Sequence, residues 1–107
     1  MTFSMNCLRN DVVLLPIPFT DLTSRKVRPA VVIGRSGADL FLVPISSVLS
    51  NTDFPIVEWR TAGLNVPCGV KAQLATVEAA LVVKSVGTLS AADTQSLNNR
   101  LRIWLQL

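Results

Sequence analysis

The sequence contains no histidine among its 107 residues. This absence excludes histidine general acid–base catalysis, catalytic triads oriented by histidine, and every zinc site that needs imidazole. Charged residues are also scarce, at 16% of the chain against about 25% in ordinary soluble domains. A chain of this length buries only a little over ~60% of its unfolded surface, so a monomer has few charges with which to cover its apolar groups. We therefore expect an oligomer whose chemistry uses groups other than imidazole.

Cysteine is scarce as well. Cys7 and Cys68 form no C-x-x-C pair and cannot build a four-thiolate site, which is typical of reduced thiols in a cytosolic protein, although a disulfide between them stays open. No window approaches the roughly 18 apolar residues of a membrane span, and residues 1–8 lack a basic leader followed by an apolar stretch. We expect one domain, residues 1–107, in a cytoplasmic protein that contacts no membrane.

Short apolar runs rich in β-branched residues predict strands along most of the chain. The first run is interrupted by Pro16 and Pro18, where a strand must end, bulge or lie at an edge because proline cannot donate to a ladder. Turn residues at 34–39 predict a hairpin between the second and third strands. The predicted strands cover residues 11–19, 30–33, 40–45, 54–60, two stretches within 66–78, and 86–89. In 66–78 the residues expected to face the core are Val70, Ala72, Leu74 and, as a further candidate, Val77.

The last part of the chain carries the signals of a helix over residues 91–105. Ser90 stands three residues before Asp93, which predicts a helix N-terminus because the hydroxyl accepts from free N–H groups and the carboxylate opposes the positive dipole end. Several strands followed by one helix predict a mainly β fold, a small and partly closed barrel. The predicted apolar face of the helix consists of Leu97, Leu101, Trp104 and Leu105.

An ordered set of segments resembles a known family. The segments are Asn10-Asp11-Val12-Val13, PFTDL at 18–22, Arg28-Pro29-Ala30-Val31-Val32, Val43-Pro44-Ile45-Ser46-Ser47, and the stretches 62–64, 73–78 and 86–90. In this order, from residue 10 to residue 107, they resemble the MazF/PemK (Kid) family of bacterial toxin endoribonucleases. Asn10 stands where the family usually has glycine, and Ser46 stands where it usually has threonine.

The resemblance implies an SH3-like barrel with a C-terminal helix, as in CcdB and MazF toxins, and a homodimer. It also implies metal-independent cleavage of single-stranded RNA with no cofactor. In the family the 2′-hydroxyl attacks the adjacent phosphorus and leaves 2′,3′-cyclic phosphate and 5′-hydroxyl ends. A short antitoxin protein blocks the site, so the chain would be the toxin of a type II toxin–antitoxin system.

Arg28 and Ser46 are the predicted catalytic residues. In-line attack builds negative charge on the non-bridging phosphate oxygens, and a guanidinium presents a matching fork of donors. Arg28 begins a strand, so its backbone is fixed while its side chain reaches the barrel mouth. Without the resemblance, a solvated arginine that pairs with Asp21 or caps a strand is the simpler interpretation. The Ser46 hydroxyl donates to phosphate but lacks the methyl group that restricts χ1. Ser47 is predicted to bind the RNA backbone or a base, whereas strand-end serines often satisfy only local backbone groups.

Lys71 and Gln73 are also predicted to bind RNA, because they match the family's Val-Arg-x-Asp strand at the arginine and the aspartate. Glutamine cannot accept a proton at neutral pH, so the expected general base is missing. Either another group assists, or catalysis relies on Arg28 and positioning, or activity is weak. A solvated strand residue is an equal interpretation of Lys71.

The predicted RNA-binding residues further include Arg25 and Lys26, which would screen the backbone, and Phe19, which would stack on a base. Trp104 is interpreted as core or dimer packing because it lies on the apolar helix face. Two other functions stay open: a CcdB-like toxin that binds DNA gyrase through its C-terminal end, and a catalytically impaired member that still binds antitoxin.

Overall fold

The computed structural model describes residues 7–16 and 26–107. In this part of the chain antiparallel strands form one sheet and a single α-helix follows them. The elements are β1 (Asp11–Pro16), β2 (Val27–Ser36), β3 (Asp39–Ser46), β4 (Phe54–Pro55), β5 (Gly69–Val70), β6 (Ala75–Glu78), β7 (Lys84–Thr88) and α1 (Ala91–Leu105), with 3-10 turns at Leu49–Asn51 and Ala79–Leu81. The prediction of a mainly β fold with a C-terminal helix is confirmed.

The sheet bends around β3, which has partners on both sides. The order is β4-β5-β3-β2-β1-β7, and β6 pairs with the first half of β3 while β5 pairs with its last two residues, Ile45 and Ser46. No pairing joins β4 to β7 in the described residues, so the barrel stays open there. The segment 57–64 covers this gap: Gly63 has a φ of 84°, and a Cβ at Gly63 would clash with the Val86 carbonyl.

Both faces of the central strands β1, β2 and β3 are buried along their middle residues, which explains why these strands contain continuous apolar runs. Val12 and Val31 lie in a cluster under α1, whereas their neighbours Val13 and Val32 lie in a second cluster on the opposite face. Cys68 belongs to the first cluster and Cys7 to the second, and both are free thiols, so the disulfide alternative is wrong. Burial raises the pKa of each thiol.

The predicted hairpin between the second and third strands is confirmed, with Gly37 at a φ of 58° in its turn. Val70 and Val77 are buried as expected. Ala72 and Leu74 are exposed, so the prediction for these two residues is wrong. The reason is a tight turn in which the Gln73 N–H donates to the Lys71 carbonyl, which breaks the alternation between β5 and β6.

The predicted strand 54–60 is wrong beyond Pro55, because residues 57–63 form turns. The Val57 and Glu58 N–H groups donate to the Asp93 carboxylate, each at 2.9 Å, and so take no part in a ladder. The Ala62 N–H then donates to the Glu58 carbonyl at 3.2 Å. A side chain 35 residues farther along thus decides the structure of this segment.

The helix has the predicted bounds, Ala91–Leu105, and Ser90 caps it by accepting from the Asp93 N–H at 3.1 Å. Leu97 and Leu101 are buried as predicted, and Trp104 packs partly buried against them. Leu105, the other member of the predicted apolar face, is exposed and does not pack in the core. In the described residues, no helix is both long and apolar enough to cross a membrane.

Candidate functional site

A cavity of about 610 Å³ opens at one end of the barrel, where β2 begins and β3 ends. One wall is the segment Gly63–Val66, and another is the start of β7 at Lys84–Val86. Leu14 and Pro29 line it between these walls. An apolar lining with a few polar groups is the usual composition of a ligand site. The polar and ionisable residues of the lining are Arg28, Ser46, Ser47, Asn65, Cys68, Lys84 and Ser85.

The two predicted catalytic residues meet at this cavity. The register of β2 and β3 pairs Ala30 with Pro44, and its continuation by two residues brings Arg28 opposite Ser46. On its other side Arg28 pairs with Leu15 of β1, which holds its backbone in place. The side chain itself is exposed, and no ion pair joins it to a carboxylate in the described part of the chain. The guanidinium can therefore face a phosphate.

Ser46 is half-buried at the end of β3, and its hydroxyl oxygen accepts from the Val48 N–H at 3.0 Å. This bond leaves the hydroxyl proton available to donate into the cavity. It also ties the side chain to the following turn, which restricts a serine that lacks the threonine methyl group. Ser47 lies exposed beside it on the cavity rim.

Lys84 and Asn65 belong to the lining although sequence reasoning did not single them out. Lys84 pairs with Leu14 of β1, and Leu14 pairs with Pro29 on its other side. Two strand spacings put about 10 Å between the backbones of Lys84 and Pro29. No signal in the sequence pointed to Lys84, because its place in the cavity depends on the pairing of β7 with β1, which a single sequence leaves open.

The lining carries positive charge without a compensating acid. Arg28 and Lys84 are its cations, and no carboxylate lines the cavity within residues 7–16 and 26–107. Cys68 is the remaining ionisable group, and burial raises the pKa of its thiol. The Cys68 thiol donates to the Val66 carbonyl at 3.3 Å and so stays protonated near neutral pH. The cavity therefore suits an anion and offers no described side chain that accepts a proton.

The other predicted site residues are not brought to the cavity. Lys71 and Gln73 are half-buried between β5 and β6 and do not line it, and the Lys71 N–H donates to the Pro44 carbonyl. Lys26 is exposed one residue before β2, also outside the lining. Phe19 and Arg25 lie outside the described residues. No group of three His, Cys, Asp or Glu side chains in the described ranges could hold a metal ion.

Comparison with known proteins gives the same family that the sequence segments resemble. The family model for the PemK-like, MazF-like toxin of type II toxin–antitoxin systems matches residues 8–105. A solved endoribonuclease in complex with its cognate antitoxin, from a mycobacterial species, is similar with a TM-score of 0.71 and 19% identity over 96% of this chain and 97% of that chain. The Mycobacterium tuberculosis toxin MazF-mt6 is similar with a TM-score of 0.70 and 16% identity over 91% and 97%. No curated protein matches the sequence.

Proposed function

The chain belongs to the PemK-like, MazF-like toxins of type II toxin–antitoxin systems, and we propose that it is a metal-independent endoribonuclease that cleaves single-stranded RNA in the cytoplasm. The observation that supports this proposal is the shared cavity of Arg28 and Ser46, with Lys84 as a second cation and no described carboxylate. Such a lining favours the negative charge that develops on a phosphate during cleavage.

In the proposed reaction the RNA 2′-oxygen bonds to the adjacent phosphorus while the bond from phosphorus to the 5′-oxygen breaks. Arg28 donates hydrogen bonds to the two non-bridging oxygens, where charge accumulates, and the Ser46 hydroxyl donates a hydrogen bond to one of them. The products carry 2′,3′-cyclic phosphate and 5′-hydroxyl ends. Because attack comes from the substrate, neither a protein nucleophile nor an oxidant is needed.

The proton of the 2′-hydroxyl needs an acceptor, and the described lining supplies none. Cys68 is protonated and hydrogen-bonded, and Gln73, at the position of the family's aspartate, lies outside the cavity. We propose that solvent takes this proton and returns one to the 5′-oxygen. The protein then contributes binding and charge stabilisation, which alone give substantial rate enhancements.

The test uses the purified protein and a set of labelled single-stranded RNAs in excess EDTA. We expect cleavage at defined sites with 2′,3′-cyclic phosphate ends, detected as a mobility shift after phosphatase treatment that follows mild acid opening of the ring. An RNA with a single 2′-deoxynucleotide at the cleavage site is the matched control and should stay intact. Cleavage of that deoxy substrate, or intact RNA in every case, would show that the mechanism is wrong.

We also propose a homodimer, supported by an apolar surface at the end of the barrel away from the cavity. Two concave regions meet at Ile33: one contains Phe41 and Leu74, and the other contains Leu105 and Leu107. These five residues are called the apolar surface below. Leu74 and Leu105 are each 46% exposed, and Leu107 is 87% exposed. Exposed apolar side chains concentrated in this way mark an association surface.

The further proposed partner is a short antitoxin that blocks the cavity. The positive lining and the net charge of +3 favour an acidic segment as the blocking element. We expect such an antitoxin to inhibit RNA cleavage competitively and more weakly as salt increases. Noncompetitive inhibition that is independent of salt would place its binding surface elsewhere.

A further inference from the structure

Asp93 is a buried carboxylate that the proposed reaction does not use. It is 1% exposed, and no other polar or charged residue in the described part of the chain is buried. Three donors surround it: the Val57 N–H and the Glu58 N–H at 2.9 Å, and the Ser90 hydroxyl at 3.1 Å. A charge this deeply buried is tolerated only when its acceptor sites are occupied. Two of these three donors come from a loop far from the helix in sequence.

The loop that Asp93 holds continues into the cavity wall. The Ala62 N–H donates to the Glu58 carbonyl, the Gly63 N–H to the Arg60 carbonyl, and the Leu64 N–H to the Trp59 carbonyl, at 3.0–3.2 Å. These bonds form one continuous backbone network from the Asp93 contact to Gly63. The next residues, Leu64–Val66, line the cavity with Gly63. The start of α1 is thus linked to the wall that contains Asn65.

The link to Asp93 is stronger than an ordinary loop contact. A carboxylate that accepts two adjacent backbone N–H groups makes charge-assisted bonds, and the N-terminal end of α1 adds favourable dipole charge. Removal of the carboxylate leaves both loop N–H groups without their acceptor. At the far end of the same loop, close packing against Val86 allows only glycine at position 63. The loop is therefore fixed at two points, one of which is Asp93.

We propose that Asp93 is a positioning residue that holds the Gly63–Val66 wall, and through it sets the affinity of the cavity for RNA. This inference rests on the proposed function. Asp93 touches neither substrate nor reacting atoms, and Arg28 and Ser46 lie on strands that its loss leaves in place. Its removal should weaken binding and spare the chemical step.

The test compares Asp93→Asn with Ser90→Ala in RNA cleavage. The asparagine amide keeps the shape but turns one acceptor into a donor that faces a backbone N–H. Ser90→Ala removes the helix cap and the third donor to the Asp93 carboxylate but leaves the two loop bonds. We expect Asp93→Asn to raise KM about tenfold and to keep kcat within about threefold. Ser90→Ala should leave KM within twofold. If Asp93 served only to stabilise the fold, both variants would show a smaller folded fraction and therefore a lower apparent kcat, with KM unchanged. That result would overturn the proposal.

If Asp93→Asn folds poorly, Asp93→Glu keeps the carboxylate with one added methylene. A raised KM in this variant while residues 63–66 exchange as slowly as in the wild type would overturn the proposal. Backbone amide exchange at residues 63–66 provides a readout that needs no RNA. We expect faster exchange there in Asp93→Asn than in Ser90→Ala. If the wild-type protein cleaves no RNA, the proposed function is contradicted. The amide exchange rates at residues 63–66 then decide separately whether Asp93 holds the Gly63–Val66 wall. Equal rates in Asp93→Asn and Ser90→Ala would show that it does not.

Discussion

The two ends of β2 and β3 expose different chemistry. At the end that contains Arg28 and Ser46, the strands border a cavity with two cations and no described acid. At the other end Ile33 and Phe41 belong to the apolar surface. Arg9 and Arg102 also line one of the two concave regions at that end, so the two ends differ in their exposed apolar side chains and not in the presence of cations. One end suits an anion, and the other suits a protein surface.

The largest expected effect is a loss of RNA cleavage when a residue at the cavity end is changed. Arg28→Ala should lower kcat for RNA cleavage about 10²–10³-fold, because it removes a donor to the charge that forms in the transition state. The fold should be unchanged, since the side chain is exposed. Single-turnover cleavage of a defined RNA measures the loss.

Arg35→Ala is the matched control for Arg28→Ala. It lies near the other end of β2, and its Nε donates to the Gly37 carbonyl, far from the cavity. It should cleave within about twofold of the wild type if only the local site matters. Equal losses in the two variants would mean that the effect comes from net charge and not from position.

The second effect concerns the apolar surface. Leu74→Asp should raise the dimer dissociation constant at least tenfold, because it places a charge in a contact that loses water on association. Leu81→Asp is the control, since Leu81 is 40% exposed against 46% for Leu74 but lies outside the apolar surface. Sedimentation across a dilution series measures both. A wild type that stays monomeric at every concentration contradicts the assignment.

The sequence predicted the helix and the central strands because their signals are local. Ser90 with Asp93, and the turn residues around Gly37, specify their structure within a few residues. The segment 57–60 was misassigned because its N–H groups bind Asp93, which no local pattern reveals. For the same reason Lys84 was missed: its place in the cavity follows from strand order, which a single sequence leaves open. Arg28 and Ser46 could be selected only through the family resemblance.

The third expected effect concerns RNA affinity, which should depend on Lys84 and not on Lys71. Lys84→Ala should weaken RNA binding about tenfold at low salt and reduce the slope of log K against log salt by about one, as expected for one lost phosphate contact. Lys71→Ala should change neither quantity by as much, because Lys71 does not line the cavity. Binding of a 2′-deoxy-substituted RNA across a salt series measures both. A larger loss from Lys71 would move the RNA path toward β5.

A smaller effect, on stability, is expected at Asn10. Its backbone bonds both to Val32 of β2 and to Leu89, which lies just before the helix. Its φ is 76°, its N–H donates to the Val32 carbonyl at 2.7 Å, and its side-chain oxygen is buried without a partner. Left-handed backbone costs about 1–2 kcal/mol for residues with a Cβ, which explains why the family usually has glycine here. Asn10→Gly should therefore be about 1 kcal/mol more stable than Asn10→Ala in urea unfolding. Equal stability of the two variants would argue against strain at this position.

The smallest expected effect distinguishes an active toxin from an impaired one. Ser46→Thr restores the family's residue and adds a methyl group that restricts χ1. Because the Val48 N–H already holds the serine hydroxyl, the added restriction should raise kcat only two- to threefold. Ser46→Ala, which removes the donor altogether, provides the lower reference in the same cleavage assay. A gain of tenfold or more in Ser46→Thr would show that serine impairs this chain and would favour the interpretation of a weakly active, antitoxin-binding member.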